Sequence, residues 1–229
     1  MEQNIVYLIK NPSMITEAEY DQLYRYLPAY RQAKVQALRF HKDQILSVLA
    51  GALFIYVLKE CYGFTEQPEI IQEGNEKPVI KDHPEICFNL SHCKTAIACA
   101  VSEKQVGVDV QENRASIEKI AKRFFSENEN KMISSIDDKF LRENLYRRVW
   151  TLKEAYGKYT GKGLMYKLQD KDFSEILVKD VMKEPYHCIY EKKRVLMLDE
   201  DEWSMAAISD LPLNITECRI TDLYEKTDE

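Results

Sequence analysis

Residues 45–58 form an apolar run of fourteen, interrupted only by the small residues Ser47 and Gly51. A helix that is hydrophobic on every side cannot lie on a surface; it must be enclosed, and the rest of the chain has to supply the enclosing elements. A bilayer span needs about 20 residues, so the run reads as a buried core helix and nothing here reads as a membrane crossing. A chain of 229 residues has room for one large domain or two small ones around such cores. Residues 1–12 lack a basic region followed by an apolar stretch, so they do not read as a secretory signal. Six cysteines without a Cys-x-x-Cys pair suggest reduced core thiols in a cytoplasmic protein.

Around that run the local signals alternate between strand and helix. Residues 5–10 are rich in β-formers, and Thr16 with Glu19 makes a capping box that opens a helix. A second helix is expected over 29–40, and Asp43 is expected to cap the apolar helix, which Gly63 stops. Short extended pieces at 69–72 and 78–80 flank the turn Gly74-Asn75, and strands follow at 86–91 and 95–101. A polar turn at 102–105 precedes a strand at 106–111, which sets the expected boundary between an N-terminal half, 1–104, and a C-terminal half, 105–229. The second half reads as helices at 116–125, 127–135 and 139–159, stopped by Gly161 and Gly163, then strands at 173–179, 186–190, 195–198 and 203–209. Both halves place helices on one side of small, mainly antiparallel sheets, an α+β arrangement.

Three clusters carry possible chemistry. In the strand Val106-Gly107-Val108-Asp109-Val110-Gln111, alternation sends the valines to a core and brings Gly107, Asp109 and Gln111 to the opposite face. A carboxylate and an amide oxygen beside a glycine suit a hard cation such as Mg²⁺, although a solvated strand face fits the same pattern. In the long helix, Leu141, Leu145, Val149, Leu152 and Tyr156 fall on one stripe, expected to pack on its own domain. Arg147, Trp150, Glu154 and Lys158 fall opposite, and a tryptophan there suggests a cleft against the other half; a surface Glu154–Lys158 pair is the alternative. Asn89-Leu90-Ser91-His92 gathers polar groups at a strand end, where sites are commonly built.

Taken together, Asn89-x-Ser91-His92, Gly107-Val-Asp109, Arg123-Phe-Phe-Ser126-x-x-Glu129 and Trp150-Thr-Leu-Lys-Glu154-Ala-Tyr-x-Lys158, with Lys77-Pro78 upstream, occur in an order and spacing that resembles the 4'-phosphopantetheinyl transferases of the surfactin-synthetase-activating type. The resemblance runs from about residue 28 to 163. It implies a pseudo-twofold pair of α+β halves with the active site between them. It also implies transfer of the phosphopantetheine arm of coenzyme A to a serine of an acyl- or peptidyl-carrier protein, releasing 3',5'-ADP, by a cytoplasmic monomer.

Residue by residue, the resemblance implies Asp109 and Glu154 as Mg²⁺ ligands, with Gln111 or a water expected to fill the third position, Glu154, directly or through a metal-bound water, as the base for the carrier serine, and Lys158 as the cation on the phosphates. Ser91 and His92 match positions that touch those phosphates, with His92 counted among the catalytic groups. Lys77 matches a residue near the adenine and 3'-phosphate, and Arg31, Lys34 and Ser47 match positions around the 3'-phosphate. Residues after Gly161 resemble the part that meets the carrier.

The chain departs from the family pattern at three places: Gln111 stands where an acid is usual, with Glu112 displaced to the other face of the strand, Glu76 replaces a glycine before the lysine, and Cys93 replaces Ser or Thr. A catalytically inactive coenzyme A- or carrier-binding module is the alternative reading, and another Mg²⁺-dependent nucleotide enzyme a third, for which no Walker-type loop is present. The formal net charge of −6 argues against general nucleic-acid binding. It does not argue against phosphate, because residues 139–171 hold nine Lys+Arg against three Asp+Glu.

Overall fold

The computed structural model describes residues 4–74, 76–112, 117–163, 168–177 and 185–224. The first sheet contains β1 (Ile5–Lys10), β4 (Cys87–His92), β5 (Ala96–Ser102) and β10 (Asn214–Glu217) in the order β10-β1-β5-β4. Helices α1 (Glu17–Tyr26), α2 (Ala29–Gln36) and α3 (His41–Tyr62) lie on its outer face, beside the small hairpin β2 (Ile70–Ile71) and β3 (Val79–Ile80). The second sheet has the order β6-β9-β8-β7, from β6 (Val106–Glu112), β7 (Tyr186–Tyr190), β8 (Lys193–Asp199) and β9 (Trp203–Ser209). Helices α4 (Ile117–Phe124), α5 (Glu127–Ser134) and α6 (Lys139–Thr160) cover its outer face.

The two sheets meet through their inner faces. Ala96, Ala98 and Ala100 of β5 and Val6 and Leu8 of β1 pack on Val106, Val108 and Val110 of β6 and on Leu196, Leu198, Met205 and Ala207. Alanine at every second position of β5 keeps that layer thin. Two α+β halves back to back give the pseudo-twofold arrangement, with helices on the outside and a shared apolar layer in the middle. The strand β10 returns from the C-terminal segment to pair in parallel with β1, a tie between the two ends of the chain that no local signal announces.

Helix α3 is the core helix of the first half. Its 22 residues are long and apolar enough for a membrane span, yet twelve of them, Leu46 and Leu53 among them, are buried inside the protein. Gly63 ends it in the left-handed conformation, as expected, but Asp43 is a first-turn acid and not its cap: the helix starts at His41 after Phe40, with no side-chain cap. The capping box of Thr16 and Glu19 is present, and so is a second one of Ser126 and Glu129 at α5. Helix α2 ends at Gln36, short of the expected 40. The strand expected at 173–179 is a correction: Ser174–Ile176 is a 3₁₀ turn, because the Phe173 N–H donates to the buried Glu129 carboxylate at 2.8 Å and not to a ladder partner. Residues 178–179 of that stretch lie outside the described residues.

Helix α6 crosses the outer face of β6 so closely that Gly107 has no room for a side chain. A Cβ there would lie 2.2 Å from the Tyr159 backbone nitrogen and 2.4 Å from the Ala155 carbonyl oxygen. The glycine therefore admits a helix backbone, and that approach sets the height of Glu154 and Lys158 above the strand.

Candidate active site

The site forms where the edge strands of the two sheets come side by side. On its open side, β6 has N–H groups with no ladder partner, and β4 supplies them with side-chain acceptors. The Val108 N–H donates to Asn89 Oδ1 at 2.9 Å and the Val110 N–H to Ser91 Oγ at 3.3 Å. Asn89 and Ser91, two apart on β4, therefore act as a short clamp between the halves. Sequence reading placed Ser91 in the site but gave Asn89 no role; the i, i+2 spacing of two side-chain acceptors was the available signal.

Ser91 also begins the polar network. Its hydroxyl donates to Asp109 Oδ1 at 2.7 Å and accepts from Lys158 Nζ at 2.8 Å. Lys158 Nζ in turn lies 2.6 Å from Asp109 Oδ1. Asp109 is 1% exposed, and Lys158 offsets the cost of burying its charge. The Gln111 side-chain nitrogen donates to Asp109 Oδ2 at 2.8 Å and to Glu154 Oε2 at 2.9 Å, so two carboxylates converge on one amide nitrogen. The other end of that amide, Gln111 Oε1, is buried with no hydrogen-bond partner among the described residues. Pairing of β6 with β9 is regular through Glu112, with no bulge, and Glu112 turns away to meet Lys94 at 2.9 Å.

His92 follows Ser91 at the end of β4 and is exposed there. Partial desolvation, with the Lys158 and Arg31 cations nearby, holds its imidazolium below the usual range, which favours a neutral ring at pH 7. Strand alternation puts Phe88, Leu90 and His92 on the face opposite Asn89 and Ser91. Phe88 and Leu90 line a groove of about 210 Å³ with Tyr30, Arg31, Lys34 and Phe54. Arg31 is fixed by donation to the Ser47 carbonyl oxygen at 3.1 Å, so Ser47 enters through its backbone. Lys34 stands 5.8 Å over the Tyr30 ring.

Lys77 is placed differently from its neighbours in this set. Its amine donates to the carbonyl oxygens of Val106 at 2.7 Å and Tyr159 at 3.4 Å and to Gln105 Oε1 at 3.2 Å. It therefore clasps the hairpin of the first half to the start of β6 and the end of α6. Burial among neutral oxygens pushes its pKa down to about 8.

The opposite-face reading of α6 needs correction. Trp150 does not face a cleft against the other half; it is 3% exposed in the core of its own half, with its ring 5.4 Å from that of Phe124. Arg147 is also buried in its own half, donating to Ser204 Oγ at 2.8 Å and to the Glu200 carbonyl at 3.0 Å. Only Glu154 and Lys158 of that face reach the junction. The basic segment shrinks for the same reason: Arg148 is consumed by Asp199, and Lys153 by Glu129 at 2.8 Å, both pairs fully buried. Ser126 and Glu129 thus build the support behind α6, and Lys153 separates that structural layer from the chemistry at Glu154.

The sequence that carries these side chains has counterparts among known proteins. Residues 105–207 match the 4'-phosphopantetheinyl transferase superfamily. The chain is also similar to individual 4'-phosphopantetheinyl transferases. It is 33% identical over 150 residues to the 4'-phosphopantetheinyl transferase psf-1 of Bacillus pumilus, a match that covers 65% of this chain and 64% of the relative. It is 26% identical over 161 residues to the 4'-phosphopantetheinyl transferase Sfp of Bacillus subtilis (strain 168), covering 69% and 71%. Over 98 residues it is 37% identical to the 4'-phosphopantetheinyl transferase HetI of Nostoc, covering 40% and 41%. The match to psf-1 spans just under two thirds of that relative's length.

Proposed function

We propose that this protein transfers the 4'-phosphopantetheine arm of coenzyme A to a serine hydroxyl of an apo acyl- or peptidyl-carrier protein and releases 3',5'-ADP. The observation that carries the reading is the convergence of Asp109, Gln111, Glu154, Lys158 and Ser91 at the junction of β4, β6 and α6.

The groove on α2 and α3 suits the adenosine end of coenzyme A: Tyr30, Phe54 and Phe88 offer ring and apolar surface, and Arg31 and Lys34 offer cations to the 3'-phosphate. From there β4 leads past His92 and Ser91 to Lys158, a path along which a pyrophosphate meets donors in succession. Lys158, now on Asp109, is the cation that holds the phosphates. His92, neutral at pH 7, donates a ring N–H rather than a charge. The carrier serine oxygen forms the new bond to the phosphorus bearing the pantetheine, the bond from that phosphorus to the nucleotide phosphate oxygen breaks, and Glu154 takes the serine proton.

The residues fit a hard divalent cation. Asp109 and Glu154 present oxygens to one point, now taken by the Gln111 side-chain nitrogen, and the same amide carries a buried, unpartnered oxygen, Gln111 Oε1. Asp109, Glu154 and Gln111 would hold Mg²⁺, which when bound stabilises charge on the departing phosphate oxygen. Both halves lie in one chain, which supports a monomer, and the described cysteines are all free thiols, which suits a reducing cytoplasm.

Intact-mass measurement of apo carrier proteins incubated with coenzyme A and Mg²⁺ tests the reading. A phosphopantetheine mass gain, lost with Glu154→Ala, is expected; no gain across fatty-acid and peptide-synthetase carriers defeats it. An inactive binding module is not favoured, because Asp109, Glu154 and Lys158 are all retained at the junction.

A further inference from the structure

We infer that the Gln111 carboxamide is a built-in stand-in for the cation: its NH₂ end ties the two carboxylates together while the metal is absent, and the amide turns over to present its oxygen when the metal arrives. This deepens the proposed function and rests on its Mg²⁺ site.

Three observations carry the inference. The nitrogen of Gln111 lies 2.8 Å from Asp109 Oδ2 and 2.9 Å from Glu154 Oε2, donating one hydrogen to each, so it sits where a cation shared by both acids would sit. Gln111 is 4% exposed and its Oε1 has no partner, although a buried amide oxygen ordinarily has one. The carboxamide is thus half satisfied, with the donor end fully used and the acceptor end idle. Finally, β6 pairs regularly with β9 from Val106 to Glu112, so the strand itself has no slack; the change has to take place in the side chain.

Rotation about the last side-chain bond exchanges the two ends of the amide within nearly the same volume. With no cation, the oxygen-in state would face a carbonyl dipole toward two carboxylates and forfeit both charge-assisted hydrogen bonds, so the nitrogen-in state is held. With a cation at the convergence point, an N–H aimed at it is repelled and an amide oxygen is attracted, so the preference reverses. The lone-pair oxygen that is idle in the first state becomes a ligand in the second. A glutamate at 111 has no such pair of states. It would set a third carboxylate against Asp109 and Glu154 without the amide donor that now lies between them.

Two consequences separate this from a merely weaker site. The wild-type fold should respond weakly to chelation, and Gln111→Glu should respond strongly. In thermal denaturation of the full chain, wild type is expected to shift by no more than about 2 °C between excess EDTA and Mg²⁺ at about its own Kd, as linkage at one site allows. Gln111→Glu is expected to fall by several degrees in EDTA and to recover in Mg²⁺, since a kcal/mol moves the midpoint by about 2–4 °C at this chain length. By calorimetric titration, Gln111→Glu should bind Mg²⁺ at least about tenfold more tightly than wild type, because it forfeits no amide bonds on binding.

Should Gln111→Glu fail to fold, the wild type alone decides the matter. The Gln111 side-chain ¹⁵N–¹H₂ signals, assigned by their absence in Gln111→Ala, should show slow hydrogen exchange in EDTA and should shift and lose protection at saturating Mg²⁺. Unmoved and still protected Gln111 signals at a Mg²⁺ concentration that supports full transfer overturn the inference while the proposed function stands. So does a Gln111→Glu protein whose stability ignores the metal. If neither protein binds Mg²⁺ and transfer proceeds in EDTA, the metal reading itself fails and takes this inference with it.

Discussion

Replacing Gly107 by alanine puts a methyl carbon 2.2 Å from the Tyr159 backbone nitrogen and 2.4 Å from the Ala155 carbonyl oxygen. Both obstacles are helix backbone, so no side chain can swing aside. To restore an ordinary contact, α6 has to lift from β6 by about 1 Å, a displacement on the scale that can cost about a hundredfold in rate when reacting groups lose alignment. Overpacking of a tight core costs about 1–3 kcal/mol. At this chain length, about 3 kcal/mol lowers the thermal midpoint by about 6–12 °C. The lift also carries Lys158 away from Asp109 and Ser91, which it now holds at 2.6 and 2.8 Å. Gly107→Ala should therefore be less stable by calorimetry and should turn over coenzyme A at least tenfold more slowly in the intact-mass assay, even well below its midpoint. A variant with wild-type stability and wild-type transfer would refute the idea that this glycine sets the height of Glu154 and Lys158 above β6.

Other expectations follow from the same geometry. Lys153→Met leaves Glu129 buried without its cation and should destabilise the fold by about 3–5 kcal/mol in urea denaturation. Adding Glu129→Gln should recover part of that loss; a double variant no better than the single would count against the pair. Arg31→Ala should raise KM for coenzyme A by about tenfold or more, as expected for losing a charged contact. The effect should nearly vanish with 3'-dephospho-coenzyme A, and an equal loss on both substrates would remove Arg31 from the 3'-phosphate.

Lys77 should titrate near pH 8 by NMR. Between that value and the ordinary lysine range near 10.5 the unfolded chain holds a proton that the native protein has shed, so stability should rise with pH across this window and be lower below it. Urea midpoints at pH 7 and pH 9.5 should show the rise in wild type and lose it in Lys77→Met.

Local features were legible from the residues alone. The capping box at Thr16 and the glycine stops at Gly63 and Gly161 depend on neighbours within a turn, and each is present. The period-two pattern of β6 sent its valines to the shared layer and Asp109 and Gln111 to α6 because strand alternation requires nothing distant. The spacing of Glu154 and Lys158 put both on one side of a helix for the same reason.

What lies across that side was decided only when the chain folded. Trp150 looked like the mark of a cleft, but α4 covers it; the basic excess of α6 looked like a phosphate field, but Arg147, Arg148 and Lys153 spend their charge inside their own half. Lys77 meets two backbone oxygens, on residues 29 and 82 positions away, and β10 pairs with a strand more than two hundred residues earlier. Gln111 was visible as a missing acid, whereas its amide bridge became visible only with Glu154, 43 residues on, beside it. Sequence fixes conformations whose energies are settled among near neighbours. Which buried charge meets which partner depends on desolvation and packing between distant segments, and those exist only in the assembled fold.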